Sequence, residues 1–188
     1  MVTTNPARAD SAAPTTWTID PNASQVAFSI GKRLLFLRLT VTGRFAGVAG
    51  TIALDRREPA VARIDASVGV ASVDTGNAKR DRHLLAADFF DAERHPTLRF
   101  TSDRVEALDL ARGRGRLRGE LTVRGVTRDV TFDLAFDPAQ ANGDRTGLRV
   151  TASAEINRHD FGLSWSSNLI IGLTDTVTIT VAVAATRA

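Results

Sequence analysis

No cysteine occurs anywhere in the 188 residues. That excludes disulfides, thiolate catalysis and cysteine-bound zinc together. Long apolar runs are missing as well, and nothing approaches the ~20 consecutive apolar residues that a membrane-spanning helix needs. The opening stretch, MVTTNPARADSAAPTT, lacks the apolar core of a secretory signal. It reads as a disordered tail over residues 1–16, ahead of one domain over residues 17–188. The expectation is a cytoplasmic protein without a transmembrane segment; a leader preceding Met1 would make it periplasmic or secreted instead. Lysine is scarce too. Of the 24 basic residues only Lys32 and Lys79 are lysines, leaving 22 arginines, yet the net charge is only +3. Acidic residues are scattered throughout, so arginine reads as a solubilising habit and no nucleic-acid partner is expected.

What is present is alternation. Hydrophobic residues make up 43% of the chain, and after Trp17 they recur every second position, the period of a half-buried strand. Val26, Phe28 and Ile30 oppose Gln25, Ala27 and Ser29. Leu117, Gly119, Leu121 and Val123 oppose Arg116, Arg118, Glu120 and Thr122. Val130, Phe132, Leu134 and Phe136, then Leu148 to Ile156, then Val177 to Val183, repeat the pattern. Eight or nine such strands emerge, with turn residues at Arg57–Glu58–Pro59, Gly113–Arg114–Gly115 and Asn142–Gly143–Asp144. Residues 79–90 (KRDRHLLAADFF) break the period and read as a short helix capped around Thr75 to Asn77. Residues 31–38 fit a loop, a helical turn or a strand.

Strands wet on one face must hide the other, and closing the sheet on itself does so while removing exposed edges. The predicted fold is an all-β, antiparallel, lipocalin-like β-barrel of about eight strands with one short connecting helix. A barrel of that size can be filled by its own side chains or can hold one slender ligand. Small inner-face residues (Gly43, Gly50, Ala66, Gly119, Ala152, Ala154) leave volume, and phenylalanines would wall it. Glycines also mark bends and close strand packing, so a hollow and a filled interior both stay open on these residues.

A series of motifs, in order along the chain, resembles the YceI-like family. Trp17-Thr18-Ile19-Asp20 and Ser24-Gln25-Val26-Ala27-Phe28 look like its opening. Val41-Thr42-Gly43-Arg44-Phe45 resembles its V-x-G-x-F turn. Ser72-Val73-Asp74-Thr75-Gly76-Asn77, Arg80-Asp81, His83-Leu84, Asp88-Phe89-Phe90-Asp91 and His95-Pro96-Thr97 resemble its most recognisable block. Gly119 to Arg128 is similar to its G-x-L-T-x-x-G-x-T-[RK] strand, and Ile156-Asn157-Arg158 with Asp160-Phe161-Gly162-Leu163 to its closing signature. The resemblance implies a lipocalin-like barrel that binds polyisoprenoid or similar long-chain amphiphiles, with no cofactor and no agreed catalytic residues. Four features depart from the pattern: Ala23 and Lys32-Arg33 stand where histidines are usual, the loop from Ser166 to Thr174 is short, and Thr174-Asp175 stands where Gly-Asp is usual. All are expected near the barrel mouth.

The expected function is therefore to carry or sequester a long-chain isoprenoid or fatty lipid, without enzymatic activity. The expected wall comprises Phe28, Ile30, Phe45, Ile64, Val68, Phe89, Phe100, Phe132, Phe136 and Trp165. Phe89 and Phe90 could both plug the barrel end, or one could line the cavity. Arg33, Arg80 and His83 are the candidates for an anionic head group. For Arg80 and Asp81 the competing reading is a tie between helix and barrel. His83, His95 and His159 have no compact metal-ligand spacing, so no metal is expected. In the RGRGRLRG run, Arg114, Arg116 and Arg118 alternate on the outer face of a hairpin. A solid-cored interaction barrel and an isoprenoid-acting enzyme are the rival readings, and homodimerisation is left open.

Overall fold

The computed structural model describes residues 14–34, 37–54, 58, 60, 62–139, 147–164 and 171–188. Among them are β1 (Thr15–Ile19), β2 (Gln25–Leu34), β3 (Leu37–Ala46), β4 (Ala49–Leu54), β5 (Ala62–Gly69), α1 (Ala78–Leu85), β6 (Thr97–Asp109), β7 (Arg114–Val123), β8 (Val126–Phe136), β9 (Gly147–Asn157) and β10 (Ile171–Arg187). Neighbours run antiparallel in the order β1-β4-β5-β6-β7-β8-β9-β10, and β10 pairs back onto β1 to close an eight-stranded barrel. The hairpin β2/β3 continues β1/β4, with β2 taking the remaining edge of β10.

The ambiguous stretch after residue 30 is thus strand on both sides of residues 35 and 36. The first strand begins at Thr15, inside the expected tail, whose first thirteen residues lie outside the described ones. The turns expected around residues 57 and 143 also fall outside them.

Between β1 and β2 the ladder is interrupted, and a side chain repairs it. Ser24 Oγ donates to the Ala184 carbonyl at 3.1 Å and accepts from the Ala184 N–H at 3.0 Å. Both groups are buried, so the hydroxyl stands in for a missing backbone partner.

Two expectations need correction. Gly119 to Arg128 is not one strand: Arg124 and Gly125 have φ of 51° and 72°, the pair of positive values that makes a two-residue hairpin turn between β7 and β8. Leu98 and Phe100 read by alternation alone as a short run, but they are part of the thirteen-residue β6. Register shifts at Thr101/Arg104 and Glu106/Asp109 flip the parity, so the inner face passes from Leu98 and Phe100 to Val105 and then Leu108. A bulge hides a strand from any period-two reading.

The barrel has two unlike ends. At one, which we call the helix end, lie α1, the β7/β8 turn, the 3₁₀ turn Val70–Ser72 and the 3₁₀ turn Arg158–Phe161. The other, the far end, holds the start of β1, the β6/β7 turn and the end of β10. Asn77 caps α1 by accepting from the Lys79 and Arg80 N–H groups, both at 3.1 Å.

Candidate functional site

Inward-facing residues of the strands surround a cavity of about 550 Å³, within the range of pockets that hold one small ligand. Phe28, Phe45, Phe100, Phe132 and Phe136 border it, together with branched aliphatic residues from β4 to β10. Several rings touch in edge or tilted contacts: Phe28 to Phe45 at 5.5 Å and Phe100 to Phe132 at 5.2 Å between centroids. Polar side chains on the inner face of the described wall are few: Thr15, Arg187 and the Trp17 indole, whereas Ser67 and Arg99 border the cavity from outward-facing positions. No carboxylate or imidazole is among the described lining residues, so the wall offers apolar contact rather than proton transfer.

Glycine does not create this volume in the way composition suggests. A Cβ on Gly119 would stand 2.5 Å from Phe100 Cζ, and one on Gly43 2.3 Å from Phe28 Cζ. Each ring lies over a glycine on the neighbouring strand and fills the space. The hollow is left by alanines such as Ala66 and Ala152, which line it.

Of the expected wall, Phe28, Phe45, Ile64, Val68, Phe100, Phe132 and Phe136 border the cavity. Ile30 does not; it pairs with Val41 and Val177, nearer the helix end. Trp165 lies outside the described residues. Of the adjacent rings, Phe90 rather than Phe89 reaches the cavity. The chain reverses after α1, where the Phe90 N–H donates to the Leu84 carbonyl and the Ala92 N–H to Leu85, both at 3.0 Å. That turn sends Phe90 inward, 5.8 Å from Phe45, with Phe89 packed edge-on behind it at 4.9 Å.

The head-group candidates gather at the helix end, where the structure gives them local partners. Arg80 donates from Nε to Thr75 Oγ1 at 2.7 Å and from Nη2 to the Thr75 carbonyl at 2.8 Å. Asp81 accepts from the N–H and hydroxyl of the same Thr75. These contacts join α1 to the residues just ahead of it, where Asp74 bridges to Arg44 of β3. His83 Nε2 meets Asp88 Oδ2 at 2.9 Å, and this contact holds the Asp88 carboxyl below its ordinary range. The Arg33 side chain is outside the described set. His159 meets Asp175 at 2.8 Å, and no group of three metal-ligating side chains occurs among the described residues.

Sequence reasoning passed over two further arginines that fasten this end. Arg158, 4% exposed, donates to the Leu163 carbonyl at 2.6 Å and the Thr174 carbonyl at 3.1 Å. Arg124 bridges the Ala87 carbonyl at 2.8 Å and the Gly162 carbonyl at 3.1 Å. A flat guanidinium with five fixed donors suits bridging carbonyls that point different ways. Outside the barrel, two exposed arginines of the RGRGRLRG run pair across the hairpin, Arg118 with Asp129 at 2.8 Å and Arg116 with Asp133 at 3.6 Å, and Arg112 pairs with Asp109 at 2.9 Å.

The YceI-like domain family matches residues 17–185 of this chain. The chain belongs to that family. Among relatives of this YceI-like barrel, it is 34% identical to the protein YceI of Escherichia coli O157:H7 over 87 residues, 44% of this chain and 42% of that one. It spans well under half the length of the curated relatives it matches. Its fold is similar to that of Burkholderia cenocepacia BcnA, with a TM-score of 0.73 and 20% identity over 89% of this chain and 99% of that one. It is also similar to a polyisoprenoid-binding domain of Saccharophagus degradans implicated in plant cell wall breakdown, with a TM-score of 0.65 and 16% identity over 93% and 99% of the two chains.

The positions at which this YceI-like chain departs from the family pattern lie in two places. Ala23 is exposed in the turn between β1 and β2, on the barrel wall. Lys32 and Arg33 pair with Leu173 and Gly172 at the helix end. Thr174 occupies a bulge there, where its hydroxyl accepts from the Gly31 N–H at 3.0 Å and donates to the Thr176 carbonyl at 3.1 Å. Thr174 has a structural task.

Proposed function

We propose that this barrel binds one long-chain apolar lipid, a polyisoprenoid or a similar molecule, in its interior, and that it carries or sequesters the lipid rather than converting it. The observation that carries this reading is a hollow interior walled by aromatic and aliphatic side chains. A filled barrel would have no such space, and a lipid-converting site would want an acid or base on the wall. The polyisoprenoid-binding domain that shares the fold supports the ligand class. Energetically, each methylene withdrawn from water contributes ~0.8 kcal/mol. A chain of many carbons thus outweighs its ordering cost with few polar contacts. Among the described residues no helix is long and apolar enough to cross a membrane.

The test is organic extraction of the purified full chain followed by mass spectrometry. The expected result is a long-chain lipid in near one-to-one amount. Absence of any stoichiometric lipid, together with failure of an apolar fluorescent probe to bind, contradicts the proposal.

A further inference from the structure

One cation on the cavity wall has no neutralising partner among the described residues. Arg187 ends β10 in step with Ile179, Val181, Val183 and Ala185, the inward face of that strand. Its register partner on β1 is Trp17, which also borders the cavity, and directly opposed residues share a face. Arg99, which also borders the cavity, turns its side chain to the outer face, where it donates from Nε and Nη2 to the two oxygens of Asp65 at 3.0 and 2.6 Å. For Arg187 the described residues supply neither a carboxylate nor a side-chain hydrogen bond.

The surroundings decide what such a group can take. A guanidinium cannot shed its proton, and here it stands where apolar wall meets solvent. Thr15, Leu110 and Phe136 line the same far end of the cavity, with Leu110 40% exposed. At the opposite end of the same cavity lie the buried Phe90 and Leu163. An amphiphile matching both ends has hydrocarbon toward Phe90 and anionic oxygens at the rim, where they gain charge-assisted hydrogen bonds. We infer that the ligand is a long-chain amphiphile with an anionic head, carboxylate or phosphate, that enters tail first and seats its head on Arg187. This rests on the interior being the lipid site, and it puts the head at the end opposite Arg80 and His83.

The experiment uses the delipidated full chain carrying a neutral apolar fluorescent probe, displaced by oleate or by oleyl alcohol, which differ only in the head. Oleate is expected to displace the probe at about three- to tenfold lower concentration than the alcohol at low salt. The advantage shrinks as ionic strength rises. Arg187→Gln removes the advantage and leaves oleyl alcohol unchanged, whereas Arg187→Lys keeps most of it. Inorganic phosphate leaves the probe in place; displacement by it reveals a site for free anions and overturns the proposal. Equal affinity of the wild type for acid and alcohol, or a preference that survives Arg187→Gln, overturns the Arg187 assignment while the lipid cavity stands. If neither the probe nor either amphiphile binds, the lipid-binding reading fails, and this inference fails with it.

Discussion

At the helix end, Phe161 and Val70 are each 1% exposed, and Arg80, Arg124 and Arg158 donate to main-chain carbonyls that hold α1 and the chain after β9 in place. At the far end, Leu110 is 40% exposed, and Arg187 stands on the inner face without a described carboxylate partner. Both ends are rich in arginine, so charge alone does not tell them apart. The difference lies in what each guanidinium faces. Where it meets carbonyls it closes the barrel, and where it meets an apolar wall it is left for something that is not protein.

The comparison can be broken most severely at Arg158. Arg158→Ala removes at once the donor of a buried bond to the Leu163 carbonyl and of a half-buried bond to the Thr174 carbonyl, and is expected to cost about 3 kcal/mol, read as a lower urea midpoint. A loss below about 0.5 kcal/mol would show that the helix end does not depend on this tie. Midway along the wall, Ser24→Ala leaves the buried Ala184 N–H without its stand-in partner, while the Ala184 carbonyl still accepts from the Asp20 N–H. It should cost about 1–2 kcal/mol in the same denaturation measurement. At the far end, Leu110→Ser alters an exposed rim residue and is expected to stay within about 0.5 kcal/mol of wild type. A larger loss there would erase the contrast between the two ends.

The smallest effect concerns pH. Asp88 is held below the ordinary carboxylate range by His83, and Asp74 by the Gly76 N–H and then by Arg44. A carboxyl whose folded value is depressed contributes stability that is complete above its unfolded value and is lost as pH falls through the folded one. Stability at the helix end should therefore decline only below the usual carboxylate range. Asp88→Asn should make the acid side of the urea-midpoint profile shallower. Both carboxylates are exposed, so the change is small, and a profile identical to wild type would remove Asp88 from the account.

Much of this was legible in the chain, because period-two alternation survives wherever the ladder is regular, as in β7 and β8. It failed where geometry, not residue type, sets the facing. The two shifts in β6 hid a thirteen-residue strand by reversing parity. The choice between Phe89 and Phe90 was settled by a hydrogen-bonded turn that the local composition does not announce. Gly43 and Gly119 suggested empty space, yet each lies under a ring from the neighbouring strand, a contact set by register. Arg187 had a signal that could have found it. Extending the alternation of Val181 and Val183 by two more steps reaches it on the inner face.

The central claim is that hydrocarbon occupies the hollow between these strands, and Ala152→Trp tests it most directly. Ala152 lines the cavity between Leu134 and Val181, and an indole there fills space without touching either end. Titration with a long-chain fluorescent fatty acid should show one molecule per wild-type chain and none, or a loss of at least about tenfold in affinity, for the variant, with both proteins still folded by circular dichroism. Undiminished binding by a folded Ala152→Trp protein would mean that the lipid sits elsewhere, and the account would be contradicted.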